Sequence, residues 1–205
     1  MQPGAPSTID QIPIPVSPPA KIAFGGRACC MVGYMGTKER GPDYWIEKLG
    51  LREHPEGGYY RRTYEARETV SEEALPGRFD GDRVLGTAIY YLLPRESPSR
   101  FHRIKSDELW HFYTGGPAVV YVISADGKRT DRFLGPDPDR GQCFQAVIPH
   151  GSWFAAEVLE GGFSLFGCTV SPGFAFEDLE LGDGGVLLKQ YPNHRRLIER
   201  LTPAG

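Results

Sequence analysis

The run His102-Arg103-Ile104-Lys105-Ser106-Asp107-Glu108, continuing Leu109-Trp110-His111-Phe112-Tyr113-Thr114-Gly115, carries the residue types best suited to chemistry in this chain. An imidazole near a carboxylate makes an acid/base pair, in which the carboxylate orients the ring's tautomer and raises its basicity. The same two groups could supply two ligands to a metal ion, but a protein-held transition metal usually takes three or four donors. Successive side chains on a strand point to opposite faces, so Glu108, Trp110 and Phe112 share one face and Leu109, His111 and Tyr113 the other. By the same alternation His102 pairs with Ile104. Phe154, Ala156 and Val158 form one row in the strand after the Pro149-His150-Gly151 turn. If these rows face one hollow, it holds one imidazole and one carboxylate, walled by Ile104, Trp110, Phe112 and Phe154. Enclosure by aromatic rings raises the proton affinity of Glu108 and a charged His102 lowers it, a balance the sequence leaves open.

The elements that must position these residues are short strands. A first helix is expected from Pro42 to Leu49, where proline suits the first turn, Trp45 and Leu49 fall four apart and Gly50 supplies a stop. It should pack outside the sheets. His54-Pro55-Glu56-Gly57-Gly58 reads as a turn leading into the aromatic strand Tyr59–Tyr64; a solvated turn is the bland reading of His54 and Glu56 and the favoured one for His54. Residues 65–82 are charged and read as a long loop. Strands follow over 83–93, 100–104, 108–113, 119–123, 129–134, 142–148, 153–157 and 163–170. Asp126-Gly127 marks the tightest hairpin, because both residues tolerate positive φ. Helical periodicity returns only near 193–201. Many short strands at regular spacing, without helical crossovers, predict an all-β antiparallel barrel or sandwich with short flanking helices.

Length and composition narrow the function classes. A chain of 205 residues is accommodated by one domain, here residues 42–202, preceded by a proline-containing extension over 1–41 that reads as disordered or loosely attached. The formal net charge of −3 makes nucleic acid a poor partner. No window approaches the roughly 18 uninterrupted apolar residues of a membrane span. Of the four cysteines, Cys29 and Cys30 are adjacent while Cys143 and Cys168 lie on expected strands, so no zinc cage or disulfide framework emerges. Reduced, mostly buried thiols and a cytoplasmic location are expected.

Four segments in order are His54-Pro55-Glu56-Gly57-Gly58-Tyr59-Tyr60, Phe101-His102, Asp107-Glu108-Leu109-Trp110-His111-Phe112-Tyr113 and Gly167-Cys168-Thr169-Val170-Ser171-Pro172-Gly173-Phe174. Together they resemble one branch of the cupin superfamily, a domain of unknown function, over about Trp45 to Ile198. The resemblance implies a cupin-type antiparallel β-barrel, the double-stranded β-helix or jelly roll, similar in fold to the dTDP-sugar 3,5-epimerases and germin-type seed proteins. It also implies a homodimer, in which a partner covers exposed sheet edges. In that superfamily three histidines and a glutamate bind a metal inside the barrel. Here His102 and Glu108 match one histidine and the glutamate, whereas Ile104 and Phe154 occupy the other two histidine positions. A resident metal or other cofactor is therefore not favoured, and His102 and Glu108 would be its ligands if one bound.

The expected function is capture of a small polar or ring-containing metabolite in the lumen, carbohydrate or nucleotide-linked. By analogy with the epimerases, His102 would abstract a proton beside a carbonyl, Glu108 would serve as its carboxylate partner and a tyrosine would return a proton. Tyr59 and Tyr64 are preferred for that last role over Tyr60, Tyr90, Tyr91 and Tyr121, because they flank the motif entering the barrel. Two alternatives stand beside isomerase chemistry: a metal-dependent oxidoreductase or isomerase using His102 and Glu108, and a non-catalytic binding or storage module. A blander possibility is that the pair only hydrogen-bonds itself and nearby backbone.

Overall fold

The computed structural model describes residues 40–202; residues 1–39, which contain most of the expected extension together with Cys29 and Cys30, lie outside the described residues. Helix α1 spans Pro42–Leu49 as expected, and Gly50 ends it in the left-handed region at φ +60°. The strands are β1 (Arg52–Glu53), β2 (Tyr59–Glu65), β3 (Thr69–Val70), β4 (Arg83–Val84), β5 (Thr87–Pro94), β6 (Ser99–Arg103) and β7 (Asp107–Gly115). They continue as β8 (Ala118–Ile123), β9 (Arg129–Leu134), β10 (Gln145–Ile148), β11 (Trp153–Val158), β12 (Phe163–Ser171) and β13 (Glu180–Leu181). Helices α2 (Gly184–Gln190) and α3 (Arg195–Leu201) close the described chain.

Two antiparallel sheets face each other, one in the order β1-β2-β5-β12-β7-β10 and the other β13-β6-β11-β8-β9. Their inner rows interlock into a core that includes Tyr91, Leu93, Trp110, Val120, Phe154 and Phe166. The expected parity of β7 and β11 holds: Trp110 is buried in this core with Phe112 packed against it, and Phe154, Ala156 and Val158 enter it from the opposite sheet. His111 faces the other way and bonds Thr169 and Gln145 across neighbouring strands.

The outer faces are covered unequally. On the six-stranded sheet, Trp45, Ile46 and Leu49 of α1 pack on Leu51, Leu92 and Leu165. Leu187, Leu197, Ile198 and Leu201 of α2 and α3 bury the outer side of the five-stranded sheet around Phe101, Tyr121 and Trp153. With both faces covered, every residue of β8 is buried, which explains its unbroken apolar sequence. Helix α2 was not expected, since Gly184-Gly185 hides its start; the Asp183 side chain accepts the Val186 N–H and supplies the cap. No helix among the described residues is long and apolar enough to cross a membrane.

Two expectations need correction. Residues 65–82 are not an unstructured loop: β3 pairs with β4 across them, with a short 3₁₀ turn at Glu72–Ala74 between. The expected strand over 83–93 is accordingly split at Leu85-Gly86. Cys143 is exposed, not buried, while Cys168 is buried and both thiols are free.

The β3–β4 ribbon is pinned by Arg83, whose guanidinium donates from Nε to Asp178 Oδ2 at 2.7 Å and from Nη2 to Asp178 Oδ1 at 2.6 Å. Both side chains are almost wholly buried, and Lys105 and Asp80 extend the network toward solvent. Removing one partner from a buried pair strands the other charge, at a cost of about 3–5 kcal/mol. Arg83→Met is therefore expected to lower stability by roughly that amount in urea denaturation, and Arg83→Met combined with Asp178→Leu to recover most of it. A loss below about 1 kcal/mol for the single variant would place the pair among ordinary surface bridges.

Candidate functional site

The residue that organises the lumen is Glu56, a carboxylate the sequence alone does not place inside it. Between β1 and β2 the chain reverses through His54-Pro55-Glu56-Gly57-Gly58, with the Gly57 N–H bonded to His54 O and the His54 N–H to Gly58 O, both at 3.0 Å. Gly57 and Gly58 adopt φ values of +114° and +68°. A Cβ on Gly57 would lie 2.3 Å from Pro98 O, and one on Gly58 2.7 Å from Leu92 O, so glycine is required at both. This tight seat turns Glu56 inward, where it is 6% exposed.

There its Oε2 lies 3.0 Å from His102 Nε2, and Ser99 donates to Oε1 at 3.1 Å. The Tyr91 hydroxyl, spent on Gly57 O at 2.8 Å, stands alongside. His102, at 2% exposure, lies against the Phe154 ring with centroids 4.0 Å apart. Its Nδ1 is 2.7 Å from Arg100 O, and a carbonyl only accepts, so Nδ1 carries a proton. Nε2 then faces a carboxylate, an arrangement satisfied by an imidazolium. Burial opposes charge on His102, but attraction and hydrogen bonding to Glu56 override it and raise the histidine's proton affinity. Burial likewise pushes Glu56 up, yet the charge and hydrogen bond of His102, aided by His54, bring its carboxyl down to about 2. The pair is a buried salt bridge.

Glu108 enters the same cavity from β7 with no ion-pair partner among the described residues. Burial raises its proton affinity, the nearby Glu56 charge adds to that, and His102 only partly offsets it, leaving the carboxyl at about 7. The buried Cys168 thiol beside it is pushed up, first by burial and then by the Glu108 charge. The Trp110 indole N–H, close to Glu108, is buried without a hydrogen-bond partner. His54 also lines the cavity, and its side chain is 6% exposed. Rings of Tyr60, Tyr91, Phe174 and Phe176 surround it, and burial lowers its proton affinity more than Glu56 restores it.

The structure thus brings His102, Glu108 and Ile104 to one cavity, together with His54, Glu56, Tyr60, Arg62, Tyr91, Cys168 and Phe174. Trp110 and Phe112 belong to the core below it, and Phe154 supplies the ring that supports His102. Three expectations are corrected. His54 and Glu56 are buried, not solvated, because the glycine turn folds them over the lumen. The carboxylate partner of His102 is Glu56, which leaves neither imidazole nitrogen free to abstract a proton. Tyr59 and Tyr64 do not reach the cavity: Tyr59 packs outward on the Leu92 and Leu165 side with α1, and Tyr64, beyond a bulge at Thr63, is 56% exposed. Tyr60 and Tyr91 take the inward places. Alternation from an inward Tyr60 assigns Tyr59 outward and Arg62 inward, and fails at Tyr64 because the bulge at Thr63 shifts the register. The charged pair inside His54-Pro55-Glu56 was the available signal for the missing carboxylate.

The donors do not suit a resident metal ion. Both His102 nitrogens are committed, Ile104 and Phe154 offer no lone pairs, and among the described residues no group of three or more His, Cys, Asp or Glu is disposed to hold one. What the arrangement supplies is a carboxyl group able to take and return a proton near neutral pH, beside a fixed ion pair in a water-poor hollow.

Comparison with known proteins agrees with this architecture. A solved structure of a hypothetical protein from Leishmania major superposes with a TM-score of 0.73 at 32% identity, covering 80% of this chain and 99% of that one. Protein SO0799 from Shewanella oneidensis does so with a TM-score of 0.73 at 38% identity, covering 80% and 99% of the two chains. The Uncharacterized protein YML079W of Saccharomyces cerevisiae is 32% identical over 144 residues, 65% of this chain and 71% of that protein. Residues 43–182 match the family described as Cupin superfamily (DUF985), and the chain therefore belongs to that family of cupins.

Proposed function

We propose that this cupin binds a small carbonyl-containing metabolite at its lumen and moves a proton on it, an isomerase-type reaction in which Glu108 is the group that exchanges the proton. The observation that carries this reading is the placement of Glu108: a buried carboxyl, free of ion pairs, facing the same hollow as the Glu56–His102 salt bridge. A general acid/base works best when its proton affinity lies near the working pH. As a carboxylate, Glu108 removes a proton from the carbon beside the carbonyl, and the bonding pair moves onto the carbonyl oxygen as an enolate. As the acid so formed, it returns the proton to that carbon, or, where that carbon bears a hydroxyl whose proton passes to the enolate oxygen, to the former carbonyl carbon, so that the hydroxyl oxygen becomes the new carbonyl. The Glu56–His102 pair does not exchange protons in this scheme; burial is the main reason Glu108 holds its proton, with the Glu56 charge adding to it and His102 partly offsetting it. With the Tyr91 hydroxyl committed to Gly57, Tyr60 and Thr87 are the lining residues whose hydroxyls can donate to the enolate oxygen.

The cavity's free volume is about 30 Å³, the room of about two waters. Only the reacting end of a ligand enters it, and the remainder lies outside in the mouth.

Two measurements check this reading. The folded protein holds a proton on Glu108 that the unfolded chain, with its carboxyl near 4.5, has already released. The stability from this site is fully present below about pH 4.5 and is lost as pH rises through about 7. Urea denaturation across that window should show wild-type stability falling with a slope about one proton steeper than in Glu108→Gln; equal slopes would place Glu108 with ordinary carboxylates. In deuterium oxide, NMR of aldoses, ketoses and their phosphates incubated with the protein should reveal deuterium entering a C–H beside a carbonyl. Glu108→Gln should slow that exchange about 100-fold or more. Saturable binding without any exchange would leave a binding module instead.

A further inference from the structure

Outside the lumen lies a second, open cavity of about 350 Å³, and the two share Tyr60, Arg62 and Phe174 as a common wall. Its other lining includes Arg52, Glu65, Asp82 and Arg83. The charges of this vestibule are not equally available. Arg83 is held from two sides by Asp178 and Asp80. Asp82 accepts the backbone N–H of Glu72 at 2.9 Å. Glu65 pairs with Arg62, whose Nη2 also donates to Phe174 O at 3.1 Å. Arg52 differs from all of these. It stands opposite Tyr60 in the β1–β2 pairing, and its guanidinium lies over the Tyr60 ring, 4.9 Å from the centroid. None of its N–H groups meets an acceptor side chain among the described residues, so the ring fixes the fork in place while its donors remain unspent.

The lumen itself offers a ligand no such charge. Its ion pair is internally neutral, and it admits only the reacting end of a molecule. A planar guanidinium recognises carboxylate or phosphate oxygens two at a time. Resting on the reading of the lumen as the reacting site, we infer that the vestibule is an anion subsite, in which Arg52 holds the carboxylate or phosphate of the same small metabolite whose carbonyl end reaches Glu108. The ligand class is therefore an anionic carbonyl compound, and a neutral free sugar is disfavoured. Phe174, on the wall common to both cavities, contacts the portion between the two ends.

The test uses the full chain labelled with ¹⁵N at pH 7 and titrated by NMR with inorganic phosphate and, separately, with acetate, ionic strength being matched with sodium chloride. The expected result is saturable shifts of the Arg52 side-chain N–H and of residues lining the vestibule for at least one anion. Affinity should fall about tenfold or more in Arg52→Ala, with an intermediate value in Arg52→Lys, which keeps charge but loses the fork. Tighter binding of phosphate points to a phosphorylated ligand and tighter binding of acetate to a carboxylate; either outcome supports the subsite. Absence of saturable shifts with both anions, or unchanged affinity in Arg52→Ala, overturns it. The pH slope of stability measured on the unmutated protein used for the anion titrations separates this inference from the lumen reading. An intact slope without anion binding removes the subsite alone, and anion binding without the slope removes the proton-exchange role of Glu108 alone.

Discussion

The ion pair between Glu56 and His102, 3.0 Å long and shielded from water, is the constraint around which this lumen is organised. Two charges removed from solvent are tolerated only when geometry is close and the remaining polar atoms are satisfied. Each requirement is met by a neighbour in the fold. Ser99 completes the carboxylate, Arg100 O takes the second imidazole proton, and the backbone of Glu56 is anchored by the Arg100 N–H at 2.8 Å. The glycines at 57 and 58 follow from the same need, because only a turn passing within van der Waals range of Pro98 and Leu92 turns the carboxylate inward.

From that pair the electrostatics of the remaining groups descend. A negative Glu56 discourages a second negative charge nearby, and Glu108, desolvated as well, keeps its proton to about pH 7. Two carboxyl groups in one hollow thus sit at opposite ends of the carboxylate range, one at about 2 and the other at about 7. Such separation is how one small site holds both a fixed charge and a proton carrier. Beyond the aromatic wall, where water reaches, Arg52 keeps its charge at little cost, supported on the Tyr60 ring. The proposed proton exchange would take place at the dry end of the hollow and the proposed charge recognition at the wet end.

Much of this was legible before any coordinates. Period-two alternation put Trp110 on the face of Glu108 and His111 on the opposite one, because a strand's side-chain geometry is local and nearly invariant, and the family resemblance implied which face is the inner one. The helix over Pro42–Leu49 was equally local, written in a proline start and a glycine stop. Alternation failed at β2, where it lacked an inward reference residue and where a bulge at Thr63 broke the register, so Tyr59 and Tyr64 were preferred to Tyr60. Burial of the turn at residues 54–58 was illegible for a different reason. A polar, glycine-containing turn has the composition of a solvated loop, and its burial depends on Pro98, Ser99 and Arg100, some forty residues further along the chain.

The sequence by itself determined the all-β class and which residues of each central strand share a face, since both depend on patterns a few residues long, while the expectation that His102 and Glu108 meet in one lumen rested on the family resemblance. Only the tertiary structure decided which carboxylate pairs with His102, which carboxyl holds a proton near neutrality and which tyrosines face the cavity. Those outcomes are set by distances and desolvation between segments remote in sequence, and electrostatic energies depend on that spacing and burial rather than on residue type.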